Sequence, residues 1–136
     1  MMELRVMVID NDRIFNLMAT VLLRNTGITN NPISCTNGEE ALTLLQRYTA
    51  EDTIFLLFLD INMPMMSGWE VLTLLEERCH HSHIYVVMVT SSIDKVDQAK
   101  AMAHKRVIDY MVKPIIREKL IALKSSAALA GFFSHR

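Results

Sequence analysis

Ile54-Phe55-Leu56-Leu57-Phe58-Leu59-Asp60-Ile61-Asn62-Met63-Pro64-Met65-Met66-Ser67-Gly68-Trp69-Glu70 is the stretch that decides the fold. Six apolar residues run without alternation into an aspartate. Such a run suits a strand covered on both faces, as in the interior of a parallel sheet. Asp60 then stands where the strand leaves the core. Pro64 biases Met63 toward extended geometry, so a loop follows. Ser67 opens a new helix, with Glu70 completing a capping box. Ligands of open α/β sheets bind beyond the carboxyl ends of the strands, so position alone makes Asp60 a candidate working residue.

Working back toward the N-terminus, residues 6–9 read as a short buried strand that ends at Asp10-Asn11-Asp12. Asp12 is a good N-cap for a helix in which Ile14, Leu17, Met18, Val21 and Leu22 recur at helical spacing, and Gly27 suits its end. Residues 32–36 carry a proline and are only partly apolar, which fits an edge strand. Asn37 and Glu40 cap a second helix, with Ala41, Leu44, Leu45 and Tyr48 as its inner face.

Working forward, Val71, Leu72, Leu74 and Leu75 form the inner face of a third helix that finishes near Cys79. His80-His81-Ser82-His83 reads as a solvated loop, since no acid or cysteine pattern surrounds the histidines. Residues 84–89 are fully apolar and run into Thr90-Ser91-Ser92. A fourth helix over 94–105 has a weak stripe of Val96, Ala99, Met102 and Ala103. It offers little large apolar area and should be the least firmly held. Residues 107–112 mix polar and apolar types, like a second edge strand, and lead into Lys113-Pro114. Pro114 suits the first position of a fifth helix, continuing through Ile116, Leu120 and Leu123 to Gly131. A tail, 132–136, follows.

Five strands alternating with five helices imply a parallel sheet with helices on both faces and right-handed crossovers. The weak strands belong at the edges and the pure apolar runs inside. The α/β doubly wound order 2-1-3-4-5 satisfies this, a flavodoxin-like (βα)5 sandwich with its switch point between the first and third strands.

Composition sets outer bounds. The 136 residues fit one domain, of which 51% are hydrophobic. The formal net charge of −1 raises no field toward nucleic acid or an acidic membrane. No apolar run approaches the ~20 residues of a membrane helix, and Glu3 and Arg5 interrupt any leader-like N-terminus. Cys35 and Cys79 have no metal or redox spacing and read as reduced thiols of a cytoplasmic protein. The ten methionines read as soft core filler.

In a parallel sheet the strand ends share one edge. Asp10, Asp60, Thr90 and Lys113 each end a strand, so carboxylates, a hydroxyl and an ammonium converge there. Clustered carboxylates raise one another's pKa unless a cation relieves them, and Mg2+ favours a few carboxylate oxygens with water and phosphate. An ammonium and a hydroxyl suit phosphate oxygens, and an aspartate so placed can accept a phosphoryl group. A lone aspartate at a strand end is usually a cap; four such residues at their strand ends, in order, are far more specific.

These segments — Val-Ile-Asp10-Asn11-Asp12, Leu-Asp60-Ile-Asn-Met-Pro64 with Gly68, Val-Thr90-Ser-Ser and Tyr110-Met-Val-Lys113-Pro114 — resemble the receiver domain of two-component response regulators, the chemotaxis-protein Y-like family. The resemblance runs from about residue 4 to 133 and implies a single receiver domain with no output domain. It implies that Asp60 is the phosphoacceptor, served by a sensor histidine kinase or a histidine phosphotransfer protein. Asp10 and Asn11 match the Mg2+-holding acidic pair, and the Asn62 carbonyl matches a further metal ligand. Thr90 and Tyr110 match the switch pair, and Lys113 the phosphate-binding lysine. The face of helix four, strand five and helix five is then the surface for a downstream protein partner. No direct nucleic-acid or membrane contact is expected, and homodimerisation is left open. One departure stands out: Asn11 sits where an acid is usual, so Mg2+ should bind more weakly, with Asp12 as a candidate compensating ligand.

Two other readings compete. A haloacid dehalogenase-like phosphohydrolase would use Asp10 as nucleophile and Asp12 as general acid, with Thr90 and Lys113, but leaves Asp60, Pro64 and Gly68 idle. A phosphate-independent receiver-like docking module would follow if Asn11 disables the site.

Overall fold

The computed structural model describes residues 2–48 and 51–134. Five parallel strands, β1 (Glu3–Ile9), β2 (Ile33–Cys35), β3 (Thr53–Asp60), β4 (Ile84–Thr90) and β5 (Val107–Val112), form one sheet in the order β2-β1-β3-β4-β5. The order is the expected one. The helices are α1 (Arg13–Asn25), α2 (Gly38–Gln46), α3 (Gly68–Arg78), α4 (Lys95–Met102), α5 (Arg117–Leu123) and a short α6 (Ala130–Phe133).

Every residue of β3 is buried. Phe55, Leu57 and Leu59 join the core under α2, α3 and α4, whereas Ile54, Leu56 and Phe58 join the core under α1 and α5. Two-sided cover is why the strand shows no polar alternation. The caps behave as their chemistry demands. Asp12 accepts from the amides of Ile14 and Phe15, and Ser67 and Glu70 form a complete capping box. Asn37 accepts from the Glu40 amide. The Glu40 carboxylate meanwhile lies beside the Cys35 thiol, where burial first and that charge second push the thiol up to about 12. Both cysteines are free and buried. Gly27 takes the left-handed conformation after α1, with φ +75°.

Two helices are turned relative to expectation. In α1 the buried residues are Asn16, Ala19, Thr20 and Leu23, while Ile14 (72%), Leu17 (64%) and Met18 (57%) are exposed. The two sets are offset by two positions, about 200° around the helix, so both obey helical spacing. The face turned inward is the one from which Asn16 reaches two backbone carbonyls. In α4 the inward residue is Ala101, and Val96 is 76% exposed.

The last segment also differs. Pro114 does not begin the fifth helix: Ile115 is buried ahead of it and Ile116 is the N-cap of α5. The Lys113–Pro114 peptide is cis. α5 ends at Leu123, and Gly131 lies inside α6 rather than closing α5. Two serines, Ser125 and Ser126, weaken the helix, and buried Leu129 draws the chain back to the core. Phe132 and Phe133 pack on that core, so the expected tail is partly structural, with residues 135–136 outside those described.

The histidine loop is not simply solvated. His81 is 4% exposed. Its Nδ1 accepts from the His83 amide, and its ring meets Phe55 edge-on at 5.3 Å. Among the described residues no three His, Cys, Asp or Glu side chains are grouped to hold a metal. No described helix is long and apolar enough to cross a membrane.

Candidate functional site

Backbone bonds that continue past the strands tie the carboxyl end of β1 to β2, and those of β3 and β5 to β4. Asp10 N–H donates to the Cys35 carbonyl, Ile61 N–H to Val89 and Lys113 N–H to Thr90. Each strand-end side chain is thereby held on the same edge. Asp10, Asp60 and Thr90 are 1%, 5% and 3% exposed, so this is a recessed site rather than a surface cluster.

Lys113 enters from β5 and joins the two carboxylates. Its Nζ is 2.6 Å from Asp10 Oδ2 and 3.7 Å from Asp60 Oδ1. Asp10 Oδ1 accepts from the Asp12 amide at 2.9 Å, and Asp60 Oδ1 from the Asn62 amide at 3.3 Å. Burial raises the Asp60 pKa from 3.8 to about 6, the Asp10 charge adds to the rise, and Lys113 opposes it. Such a site gains from a further cation. Its donor set is oxygen: two carboxylates, with Asn11 and Asn62 exposed at the rim. That set fits a hard divalent cation.

The loop behind Asp60 is built for close approach. Gly68 N–H donates to the Ile61 carbonyl at 2.8 Å. A Cβ on Gly68 would lie 2.6 Å from the Asp60 carbonyl oxygen, so only glycine lets α3 start this near. Met65, at φ 70° and fully exposed, carries the turn.

Thr90 Oγ1 accepts from the Ser92 amide at 3.5 Å. Tyr110 is 8% exposed, with its hydroxyl toward Thr90 but not in a full hydrogen bond with it. Burial raises the Tyr110 pKa, and the Asp97 charge adds.

Asp10, Asp60, Thr90 and Lys113 are thus brought together, with Asn11 and Asn62 at the rim and Tyr110 behind Thr90. Asp12 is at the site's edge with its Oδ1 engaged by the α1 amides. Two further residues belong to the arrangement. Asn16 Nδ2 donates to the carbonyls of Asp10 (2.9 Å) and Cys35 (3.3 Å), pinning the ends of β1 and β2. Phe15 places its ring 4.4 Å from Lys113 Nζ. The one sequence signal for Asn16 is an amide opposite the apolar stripe of α1; Phe15 shows none.

Comparison with known proteins agrees with this fold. A family model described as the response regulator receiver domain matches residues 6–124. The DNA-binding response regulator MtrA of Mycolicibacterium paratuberculosis is 30% identical over 121 residues, covering 89% of this chain and 49% of that protein. The chain therefore spans about half the length of such regulators. A two-component response regulator structure from Cytophaga hutchinsonii is 30% identical with a TM-score of 0.78, covering 92% of this chain and 96% of that one. The receiver domain of sensor histidine kinase PA1611 from Pseudomonas aeruginosa PAO1, with a magnesium ion coordinated in its active site cleft, has a TM-score of 0.68 at 14% identity, covering 92% of this chain and 96% of that one. These matches favour a receiver over the phosphohydrolase alternative.

Proposed function

Since the chain belongs to the response regulator receiver domain family, we propose that it is a phosphorylation switch whose phosphoacceptor is Asp60. The observation that carries this is one lysine shared by two buried carboxylates at the sheet edge, 2.6 Å from Asp10 and 3.7 Å from Asp60. An Asp60 carboxylate oxygen attacks phosphorus. The donor's P–N bond (phosphohistidine) or P–O bond (acetyl phosphate) breaks, and the leaving imidazole or acetate keeps the electron pair. Lys113 neutralises charge on the transferred oxygens, and Thr90 offers its hydroxyl to one of them.

Asp10, Asp60, the Asn62 carbonyl and the Asn11 amide oxygen would hold Mg2+. When bound, the ion supplies neutralisation of the carboxylates and the incoming phosphoryl group. Asn11 contributes no charge, which makes this a weaker site than a diacid pair.

The phosphodonor, a histidine kinase or phosphotransfer protein, meets the mouth beside α1. There Ile14, Leu17 and Met18 are exposed, and a groove of about 330 Å³ runs between Ile14, Phe15, Met18 and Pro114. The output face is α4–β5–α5, where Ile93, Val96 and Ile116 are exposed and a second groove of about 330 Å³ reaches Tyr110. Movement of Thr90 toward the phosphate alters the packing of Tyr110 and through it this face.

The test is intact mass over time with acetyl phosphate and Mg2+, beside Asp60→Asn and a chelator. One phosphoryl group gained by the wild type and by neither control is the expected result. No gain by a folded wild type overturns the reading and favours a phosphate-independent docking module.

A further inference from the structure

Among the described residues the Lys113 ammonium meets two carboxylates and one uncharged group. Asp10 lies at 2.6 Å, Asp60 at 3.7 Å, and the Phe15 ring centroid at 4.4 Å. A ring face attracts an ammonium yet takes little from water in exchange, so it shields one side of the cation. The Lys113 side chain is 20% exposed. Phe15 is itself fixed: it lies in the first turn of α1, and its amide donates to the capping Asp12 Oδ1 at 3.2 Å. The next residue, Asn16, is bonded to the carbonyl of Asp10. The backbone that carries the ring and the backbone of Asp10 are therefore held by one helix start.

Building on the phosphoacceptor reading above, we propose that Phe15 is a positioning residue, whose ring holds the Lys113 ammonium between Asp10 and Asp60 so that it meets the phosphoryl oxygens during transfer. The need follows from the distances. Lys113 carries a flexible four-carbon stem, and its nearest charge is Asp10, not Asp60. Without a third contact the stem is free to swing the ammonium toward solvent, away from both carboxylates. As the Asp60 O–P bond forms and the P–O bond of acetyl phosphate breaks, acetate leaves with the electron pair. Negative charge then collects within reach of the ring-held ammonium.

The experiment compares wild type with Phe15→Leu, which keeps apolar bulk but removes the ring, and with Phe15→Tyr and Phe15→Trp, which restore one. The first readout uses neither metal nor phosphodonor: the NMR shifts of the Lys113 ε-methylene, assigned with Lys113→Arg. The ring current displaces them in the wild type and in the aromatic variants, and Phe15→Leu returns them toward the value of a free lysine. The second readout is the rate of acetyl phosphate labelling at saturating Mg2+. Phe15→Leu slows it about fivefold, the size of an ordinary cation–π contact, and at least one aromatic variant recovers it. The proposal is overturned if Phe15→Leu labels at the wild-type rate, if all three variants are equally slow, or if the methylene shifts are the same throughout. A wild type that takes no phosphate is recognised before any Phe15 variant is tested and overturns the reading of the site itself. Phosphorylated wild type with an indifferent Phe15 overturns only the role of the ring. Thermal melts of the four proteins show whether Phe15→Leu folds; if it does not, the tyrosine and tryptophan variants must still retain both the displaced shift and the labelling rate.

Discussion

Lys113 is bonded to Asp10 at 2.6 Å and stands more than an ångström further from Asp60, at 3.7 Å. The residue proposed to receive phosphate is therefore the less fully neutralised of two buried carboxylates. Lys113→Met strands both. In chelator at pH 7.5 the variant should lose on the order of 2 kcal/mol, below the ~3–5 of a fully buried pair because the lysine keeps some solvent. Removing a competing cation should also tighten Mg2+ binding by roughly threefold or more. Urea melts with and without Mg2+ check both points; unchanged stability in chelator together with unchanged Mg2+ affinity would refute the shared-lysine picture.

Asp60 imposes a definite pH signature. Burial and the Asp10 charge raise its pKa from 3.8 to about 6 in the folded protein. Between those values the unfolded chain releases the proton while the folded chain keeps it, so stability falls as pH rises. Above about 6 both forms are ionised, and the penalty levels off on the order of 3 kcal/mol. Asn has no proton to lose. Without metal, Asp60→Asn should therefore melt higher than wild type at pH 7.5, with the gain shrinking toward pH 4. A difference between the two proteins that stays flat with pH would exclude the raised pKa.

Asn11 is the residue proposed to limit the metal affinity. It stands exposed at the rim beside two buried carboxylates, and the nearby Asp12 has its Oδ1 committed to the α1 cap. Asn11→Asp adds a charge where the cation enters, so Mg2+ should bind more tightly, roughly tenfold for about 1.4 kcal/mol of added attraction. Trp69, at the start of α3 just past the Asp60 loop, gives the fluorescence signal for the titration. Equal affinities in the two proteins would show that the amide costs nothing.

How far the chain could be read follows from which physical signals are local. Strand order was legible because burial on both faces of β3 and β4 is written as unbroken apolar runs, and because Pro32 marks an edge. The convergence of Asp10, Asp60, Thr90 and Lys113 was legible because each stands at or just past a strand end, and parallel topology gathers strand ends. The outward turn of α1 was not legible, since 14-17-18-21 and 16-19-20-23 have the same period. Only Asn16's bonds across to Asp10 and Cys35 show which face is inside. The early end of α5 was hidden for a similar reason: the pull of Leu129 on a distant core is a tertiary effect. Phe15 escaped because its partner, Lys113, lies just after β5, far along the chain.

The sparse buried face of α4 was readable from composition, but its contact with α3 was not. Among the described residues of α4 only Ala101 is buried. The Lys100 ammonium, however, lies 4.2 Å from the centroid of the Trp69 ring. Trp69 belongs to the first turn of α3, one residue beyond the glycine that touches the Asp60 carbonyl. A single cation–π contact thus links the helix of the proposed output face to the loop behind the phosphoacceptor. Such a contact is worth about 0.5–1 kcal/mol at an exposed position. Lys100→Met should therefore raise hydrogen exchange across residues 95–102 about two- to fivefold while leaving β3 and β4 protected. It should also alter Trp69 emission, and Lys100→Arg should keep both near wild type. If methionine leaves the exchange of α4 unchanged, the Asp94 cap and Ala101 are enough to hold the helix. Movement of α4 would then carry no penalty at Trp69, and the α3 start would be uncoupled from the output face.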